Sequence, residues 1–183
     1  MFVKQGVSRT TLQHVASAAG VTRGAIYWHF DDKSALFNAM LERATLPFEC
    51  ARGRLSESDG LDPISCLFLV ILEVFRIIEH NPRTRRVFAV VTVKVEFVDE
   101  LGAVRARLRK AQEDWLAQVE TLLKLAVECG QIRNGIQPGI LALNLWSTMD
   151  GLMRTWMFNP TSFSLMDTGT MIIMDVLNRL RIE

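Results

Sequence analysis

Residues 10–37 read TTLQHVASAAGVTRGAIYWHFDDKSALF, and this stretch decides the fold. Leu12, Val15, Ala16 and Ala19 recur at helical spacing, and Thr10 or Thr11 can cap the helix they define. Gly20 tolerates positive φ and ends it. Thr22 is the next N-cap candidate, and Ala25, Ile26 and Phe30 give the short helix after it an apolar side. Asp31 or Asp32 can cap a longer helix that starts near Lys33 and is expected to reach about Leu55. A helix, a glycine-bearing turn and a short second helix make a helix-turn-helix.

In such a motif the second helix lies in the DNA major groove, with its first residues on base edges. The residue types here suit that task. Thr22, Arg23 and Gly24 stand at a helix start, where free N–H groups and the helix dipole attract phosphate. Arg23 can donate a bidentate pair to guanine. Gly24 has no side chain to hold the helix away. Tyr27, Trp28 and His29 place three polar-edged rings on a helix whose core face is already supplied by Ile26 and Phe30.

Composition frames this reading. The 183 residues are 49% apolar and 22% charged, enough to fill a packed core. The net charge of +1 excludes a basic coat over the whole surface but not a local basic face. Residues 1–45 carry five basic residues (Lys4, Arg9, Arg23, Lys33, Arg43) against three acidic ones. Cys50, Cys66 and Cys129 are too scattered for a zinc site and read as reduced, buried residues. No secretory leader and no transmembrane-length apolar run is visible, so a soluble cytoplasmic protein is expected. No nucleotide-binding glycine loop, metal-ligand cluster or nucleophile–base pair points to an enzyme or a cofactor. His80 sits beside Asn81-Pro82 at a helix end, where a partial positive charge serves the structure.

Downstream, GRLSESDGLDP (53–63) is the clearest boundary in the chain. Pro63–His80 reads as a buried helix. Leu101, Val104, Leu108, Ala111, Trp115, Val119, Leu122 and Ala126 mark a long amphipathic one. Two more helices are expected over 138–158 and 165–182. Residues 87–98 (VFAVVTVKVEFV) alternate as a strand would, but no second strand exists to pair with them, so they too are read as helix. The fold class is therefore all-α. The last two helices are apolar on more than one side, with Leu141, Leu145, Leu152 and Trp156, then Met171, Ile172, Met174, Leu177 and Leu180. Such a pair needs a second partner.

The segment GVTRGAIYWHF-x-x-K-x-x-L closely resembles the TetR-family helix-turn-helix signature, and most of all the AcrR-like branch that represses multidrug-efflux pumps. NPRTRR (81–86), KVEF (94–97) and MDGLMRTW (149–156) resemble the same branch. The resemblance implies a three-helix DNA-binding domain over residues 1–45 and a larger ligand-binding and dimerisation domain over 46–183. It implies DNA contacts by Thr11 and Gln13 ahead of the turn, base reading by Thr22, Arg23 and Gly24, and phosphate contacts by Tyr27, Trp28, His29 and Lys33. His14 reads as solvated or as an outlying phosphate contact. An apolar ligand cavity is implied too, drawn from Cys66, Leu67, Val70, Ile71 and Val74, from Phe88, Val91, Thr92 and Val95, and from Leu122, Trp146, Met149, Asp150 and Met153. Asp150 is expected to face that cavity by resemblance, or to pair with Arg154 by spacing. The function implied is a repressor that holds an inverted-repeat operator as a homodimer, joined through its last two helices with Trp156 and the Met171-to-Leu180 face in contact. Small hydrophobic ligands, cationic ones included, would release it.

Members of the family carry a full helix ahead of the motif. Here Phe2 to Gly6 supply only its last turn, so the first helix reads as truncated. Leu12, Val15, Ile26 and Phe30 are then expected to lose part of their cover. The alternative that follows is a dimeric small-molecule-binding protein with weakened or lost DNA binding.

Overall fold

The computed structural model describes residues 2, 6–7, 9–42, 46–49, 60–94, 102–133 and 135–181. The helices are α1 Leu12–Ala19, α2 Arg23–His29, α3 Lys33–Glu42, α4 Pro63–His80, α5 Pro82–Ala89, α6 Gly102–Glu128, α7 Pro138–Phe158 and α8 Leu165–Asn178. A π-helical turn, Val90–Lys94, continues α5. No strand occurs among the described residues, only an isolated antiparallel bridge between Ile132 and Arg181.

Two compact units emerge. The first combines Met1–Leu46 with Arg83–Arg109; the second combines Pro47–Pro82 with Lys110–Glu183. Residues 83–109, which the sequence reading left with the larger domain, thus pack with the N-terminal segment. The long helix α6 contributes residues to both units.

In the first unit, Leu12, Ala16 and Ile26 form a buried cluster with Val15, Phe30 and Leu36 packed against it. Of the residues expected to lose cover, Leu12 and Ile26 are buried, while Val15 and Phe30 are only partly so. Phe2 is buried and stands edge-on to the fully buried Phe37, with ring centroids 5.2 Å apart. The Gly6 N–H donates to Phe2 O at 2.9 Å, and the Thr10 hydroxyl donates to Gly6 O at 2.6 Å. Helix α3 ends at Glu42, and Leu46 lies outside any helix, so the unbroken helix to Leu55 does not form; residues 50–59 lie outside the described ones. The Arg107 guanidinium donates to Leu41 O at 2.5 Å, taking up a carbonyl that the end of α3 leaves without an intrahelical partner.

The β-branched segment is helical as far as it is described. Phe88, Val90 and Val91 are buried. The Thr92 hydroxyl donates to Phe88 O at 2.7 Å, the i−4 back-bond by which Thr competes with the regular helical ladder. Val95 lies outside the described residues.

The second unit packs α8 on α4 and α7, with Leu67, Ile71, Phe75, Ile78, Leu123, Leu145, Met149, Met153 and Ile173 fully enclosed. Local signals set the helix starts. Asp62 caps α4 by accepting from the Ser65 N–H at 3.0 Å, and Pro63 opens the helix. Hydrogen bonds from the Ser65 hydroxyl and N–H hold the Asp62 carboxyl below the usual aspartate value of 3.8. The cap is therefore complete above that value and lost as pH falls below it. Helix α8 is held from outside its own sequence. Glu79 accepts from the Leu165 N–H at 3.2 Å and the Met166 N–H at 3.0 Å, while Ser164 accepts from the Asp167 N–H at 3.1 Å. Three N–H groups that the helix start leaves open are thus satisfied. Glu79→Gln keeps an acceptor but removes the charge that favours a helix N-terminus. A loss of about 1 kcal/mol is expected from urea denaturation, and about 2 kcal/mol for Glu79→Ala.

Candidate DNA interface and apolar core

Helix α1 is bounded tightly at both ends. Thr11 is its N-cap, and the motif is a reciprocal capping box: Thr11 Oγ1 accepts from the His14 N–H at 3.1 Å, and His14 Nδ1 accepts from the Thr11 N–H at 3.4 Å. His14 fills the place that Glu or Gln takes in the usual box. Sequence reasoning missed this cap because the Thr-x-x-His spacing is not a common cap signature; the side chain is exposed, as the solvated reading expected. Gly20, at φ 69°, closes α1 with its N–H near Ala16 O and Ser17 O. The Val21 N–H then donates to Ala16 O at 3.0 Å, and the chain turns. Thr22 caps α2 by accepting from the Ala25 N–H at 3.2 Å. Asp32 accepts from the Ala35 N–H at 2.7 Å and starts α3.

This frame fixes one face of α2 and leaves the other to solvent. Ile26 is the buried residue of the helix, and Phe30 packs beside it. Thr22, Arg23, Gly24, Tyr27, Trp28 and His29 are all exposed, as are Thr11 and Gln13 on α1; Lys33 is half-buried. The Arg23 guanidinium lies over the Tyr27 ring at 5.4 Å, a cation–π contact that holds it along the open face. The Trp28 and His29 rings meet edge to face at 4.8 Å. Trp28 is 82% exposed and, with the exposed Tyr27 and His29 beside it, makes the open side of α2 rich in rings.

Charge is segregated in a way the net value hides. The first unit, which holds the motif, carries twelve basic and six acidic residues in its sequence; the second carries nine basic and fourteen acidic. The first is thus +6 and the second −5. The positive unit is where a polyanion would be drawn, because Arg83, Arg85, Arg86, Arg105, Arg107 and Arg109 add to the small excess of residues 1–45.

The residues expected around a ligand fall in both units. In the second, Cys66, Leu67, Val70, Ile71, Val74, Met149 and Met153 are buried, while Leu122, Trp146 and Asp150 are half-buried. Asp150 Oδ2 accepts from Arg154 Nε at 2.6 Å, the i, i+4 pairing that its spacing allowed. Trp146 belongs to an aromatic cluster with Phe48 at 4.6 Å and Trp115 at 5.3 Å. The sequence reading named Trp146 among the expected ligand residues but neither Phe48 nor Trp115. Phe88 and Val91 are buried in the first unit, with Thr92 half-buried.

One expectation is corrected. Leu177 and Trp156 are not free to meet a partner. Leu177 is 3% exposed, and Trp156 is buried with its indole N–H donating to Phe163 O at 3.2 Å. Both belong to the subunit's own core. The open apolar residues of the last two helices are Ile140, Leu143 and Phe158 on α7, and Met171, Ile172 and Met174 on α8. A two-sided helix shows both stripes in its sequence, but not which one its own subunit covers.

A short, capped second helix with a cationic, ring-bearing open face, in the positive unit of an all-helical chain, defines a helix-turn-helix DNA-binding regulator. Residues 1–40 match the family described as bacterial regulatory proteins, tetR family, and residues 62–182 match the MAATS-type transcriptional repressor C-terminal region. The chain belongs to the TetR family of transcriptional regulators, which act by binding DNA and are not enzymes. It is 34% identical to the HTH-type transcriptional regulator TtgR of Pseudomonas putida over 165 residues, 90% of this chain and 79% of that protein. Among solved structures, NalD, the secondary repressor of the MexAB-OprM multidrug efflux pump in Pseudomonas aeruginosa, is 33% identical with a TM-score of 0.83, covering 100% of this chain and 92% of that one. A SmeT–triclosan complex is 30% identical with a TM-score of 0.79, covering 100% and 87%. No helix among the described residues is long and apolar enough to cross a membrane.

Proposed function

We propose that this chain is a cytoplasmic, ligand-responsive repressor of a multidrug-efflux operon, holding an inverted-repeat operator as a homodimer. The observation that carries this is the open face of α2, anchored from behind by Ile26 and Phe30. Arg23 and Gly24 read bases, with the Thr22 hydroxyl, free to donate while it caps, beside them. Tyr27, Trp28 and His29 lie along the sugar-phosphate backbone, and Thr11, Gln13 and Lys33 contact flanking phosphates. NalD is named as an efflux-pump repressor and the SmeT structure holds triclosan, which supports extending both properties to this chain. Residues 1–45 form the DNA-binding domain and 46–183 the regulatory one. Small apolar ligands bind among the buried residues of α4 and α7. A gel shift with the whole protein against the promoter regions beside its own gene tests the reading. Retention of such a region over unrelated DNA, and release by hydrophobic antimicrobials, is the expected result.

The dimer forms through the open faces of α7 and α8. A groove of about 560 Å³ runs between the start of α7 and the end of α8, with Ile136, Ile140, Val176 and Leu180 in its lining, and a second copy of this chain fills it. Leu143→Arg combined with Met171→Arg is expected to give a folded monomer, because both residues are exposed in the subunit; Met171 is 73% exposed. Leu177→Arg instead buries an unpaired charge and unfolds the subunit. Light scattering with circular dichroism separates the two outcomes.

A further inference from the structure

We propose that Trp115 determines ligand specificity: its indole N–H takes a hydrogen-bond acceptor on a flat apolar ligand held against Phe48 and Trp146. This rests on the ligand-responsive reading above and adds to it the chemistry of the ligand. Trp115 is 4% exposed, and its Nε1–H is buried with no partner among the described residues. A buried donor left unpaired is costly, and folded proteins rarely keep one. The other buried indole of this unit shows the ordinary solution, since Trp156 Nε1 donates to Phe163 O at 3.2 Å. The Trp115 donor is therefore placed for something that arrives.

The surroundings state what that is. The Trp115 ring stands at 61° to the Trp146 ring and at 68° to the Phe48 ring, with centroids 5.3 and 6.5 Å away. Phe48 and Trp146 lie 4.6 Å apart at 40°. Trp146 is only half-buried, so its ring is the one that can yield to an entering molecule. Three rings around one N–H select a planar apolar body that carries a carbonyl, ether or phenolic oxygen. A simple ammonium would leave the Trp115 N–H unanswered, because it carries no acceptor, and the Asp150 carboxylate is already bonded to Arg154.

The test uses two ligands of one shape, 2-acetylnaphthalene and 2-isopropenylnaphthalene, of which only the ketone accepts a hydrogen bond. Binding to the whole protein is followed by calorimetry. The ketone is expected to bind about tenfold more tightly, the yield of satisfying one buried donor. In Trp115→Phe, which keeps a ring and loses the N–H, the two affinities become equal. In the unmodified protein labelled with ¹⁵N-tryptophan, one buried indole N–H resonance moves downfield with the ketone and not with the hydrocarbon. This readout stands if the variant does not fold. Equal binding by the unmodified protein, binding of neither compound, or no indole shift would each overturn the assignment. Operator binding is followed on the same samples. A protein that never binds operator fails the repressor reading, whereas one that binds operator, and releases it without preferring the ketone, fails only the Trp115 assignment.

Discussion

Replacing Gly169 with Ala will destabilise the protein, although alanine is the better helix former. Gly169 lies inside α8, and a Cβ placed there would stand 2.6 Å from Phe75 Cε2 and 2.8 Å from Cδ2. Ordinary carbon contacts begin near 3.5 Å, so the ring must retreat by roughly 1 Å. The ring has little room to retreat, because Phe75 is fully buried and its helix α4 packs against both α7 and α8. Helix propensity favours the change by about 1 kcal/mol, while overpacking a close-packed core costs about 1–3 kcal/mol and more where a rigid ring is struck. We expect a net loss of about 2 kcal/mol, or roughly 4–8 °C in Tm for a chain of this length. Gly169→Leu will cost more. The cause is separable: in a Phe75→Leu background, Gly169→Ala will cost much less than it does alone, a coupling of about 0.5–3 kcal/mol. Additive effects in chemical denaturation would show that the α4–α8 contact is not the reason.

Arg23→Ala carries the largest expected effect on DNA binding. A bidentate Arg–guanine pair discriminates by about 1–3 kcal/mol, and a two-fold dimer loses it twice, so operator affinity should fall by roughly 2–6 kcal/mol. Arg23→Lys keeps the charge but not the fork, and should lose most of the same discrimination. Lys33→Ala should behave differently. It would weaken operator and unrelated DNA alike and reduce the salt slope by about one per subunit. Anisotropy titrations at several salt concentrations distinguish the two. An Arg23→Ala protein that weakens on every sequence equally would demote Arg23 to a phosphate contact.

The parts of this fold that were legible in the sequence are those set within one turn of chain. Gly20 does adopt the left-handed conformation its position demanded, and Thr22, Asp32 and Asp62 do accept from the N–H groups three residues on. The exposure of Trp28 follows from Ile26 and Phe30 taking the inner face half a turn away; that of Arg23 and Tyr27, which fall at i, i+3, i+4, i+7 spacing with those two, was not stated by the spacing. What was hidden depends on contacts far apart in the chain. Arg107 bonds Leu41 across 66 residues, and Glu79 bonds Leu165 across 86; no local pattern announces either. The same holds for the positive charge of the first unit, since residues 83–109 join residues 1–46 only through packing. Periodicity also cannot rank two apolar stripes on one helix. Leu177 and Met171 read alike in the sequence, yet one is enclosed by its own subunit and the other stands open. Trp115 was legible as part of the apolar stripe of α6, but that its N–H has no partner among the described residues was not, because a missing partner has no sequence signature.

The most direct test of the account is selection of the whole protein's preferred sites from a random-sequence duplex library, followed by a titration of the winner. A two-fold dimer that presents one α2 helix to each half-site should enrich an inverted repeat. Its half-site centres should lie about one helical turn, roughly 10 base pairs, or a multiple of it apart. The selected duplex should bind one dimer, with affinity falling steeply as salt rises and specificity lost in Arg23→Ala. Recovery of no enriched sequence, or of a single half-site bound by a monomer, would contradict the reading of this chain as an operator-binding repressor.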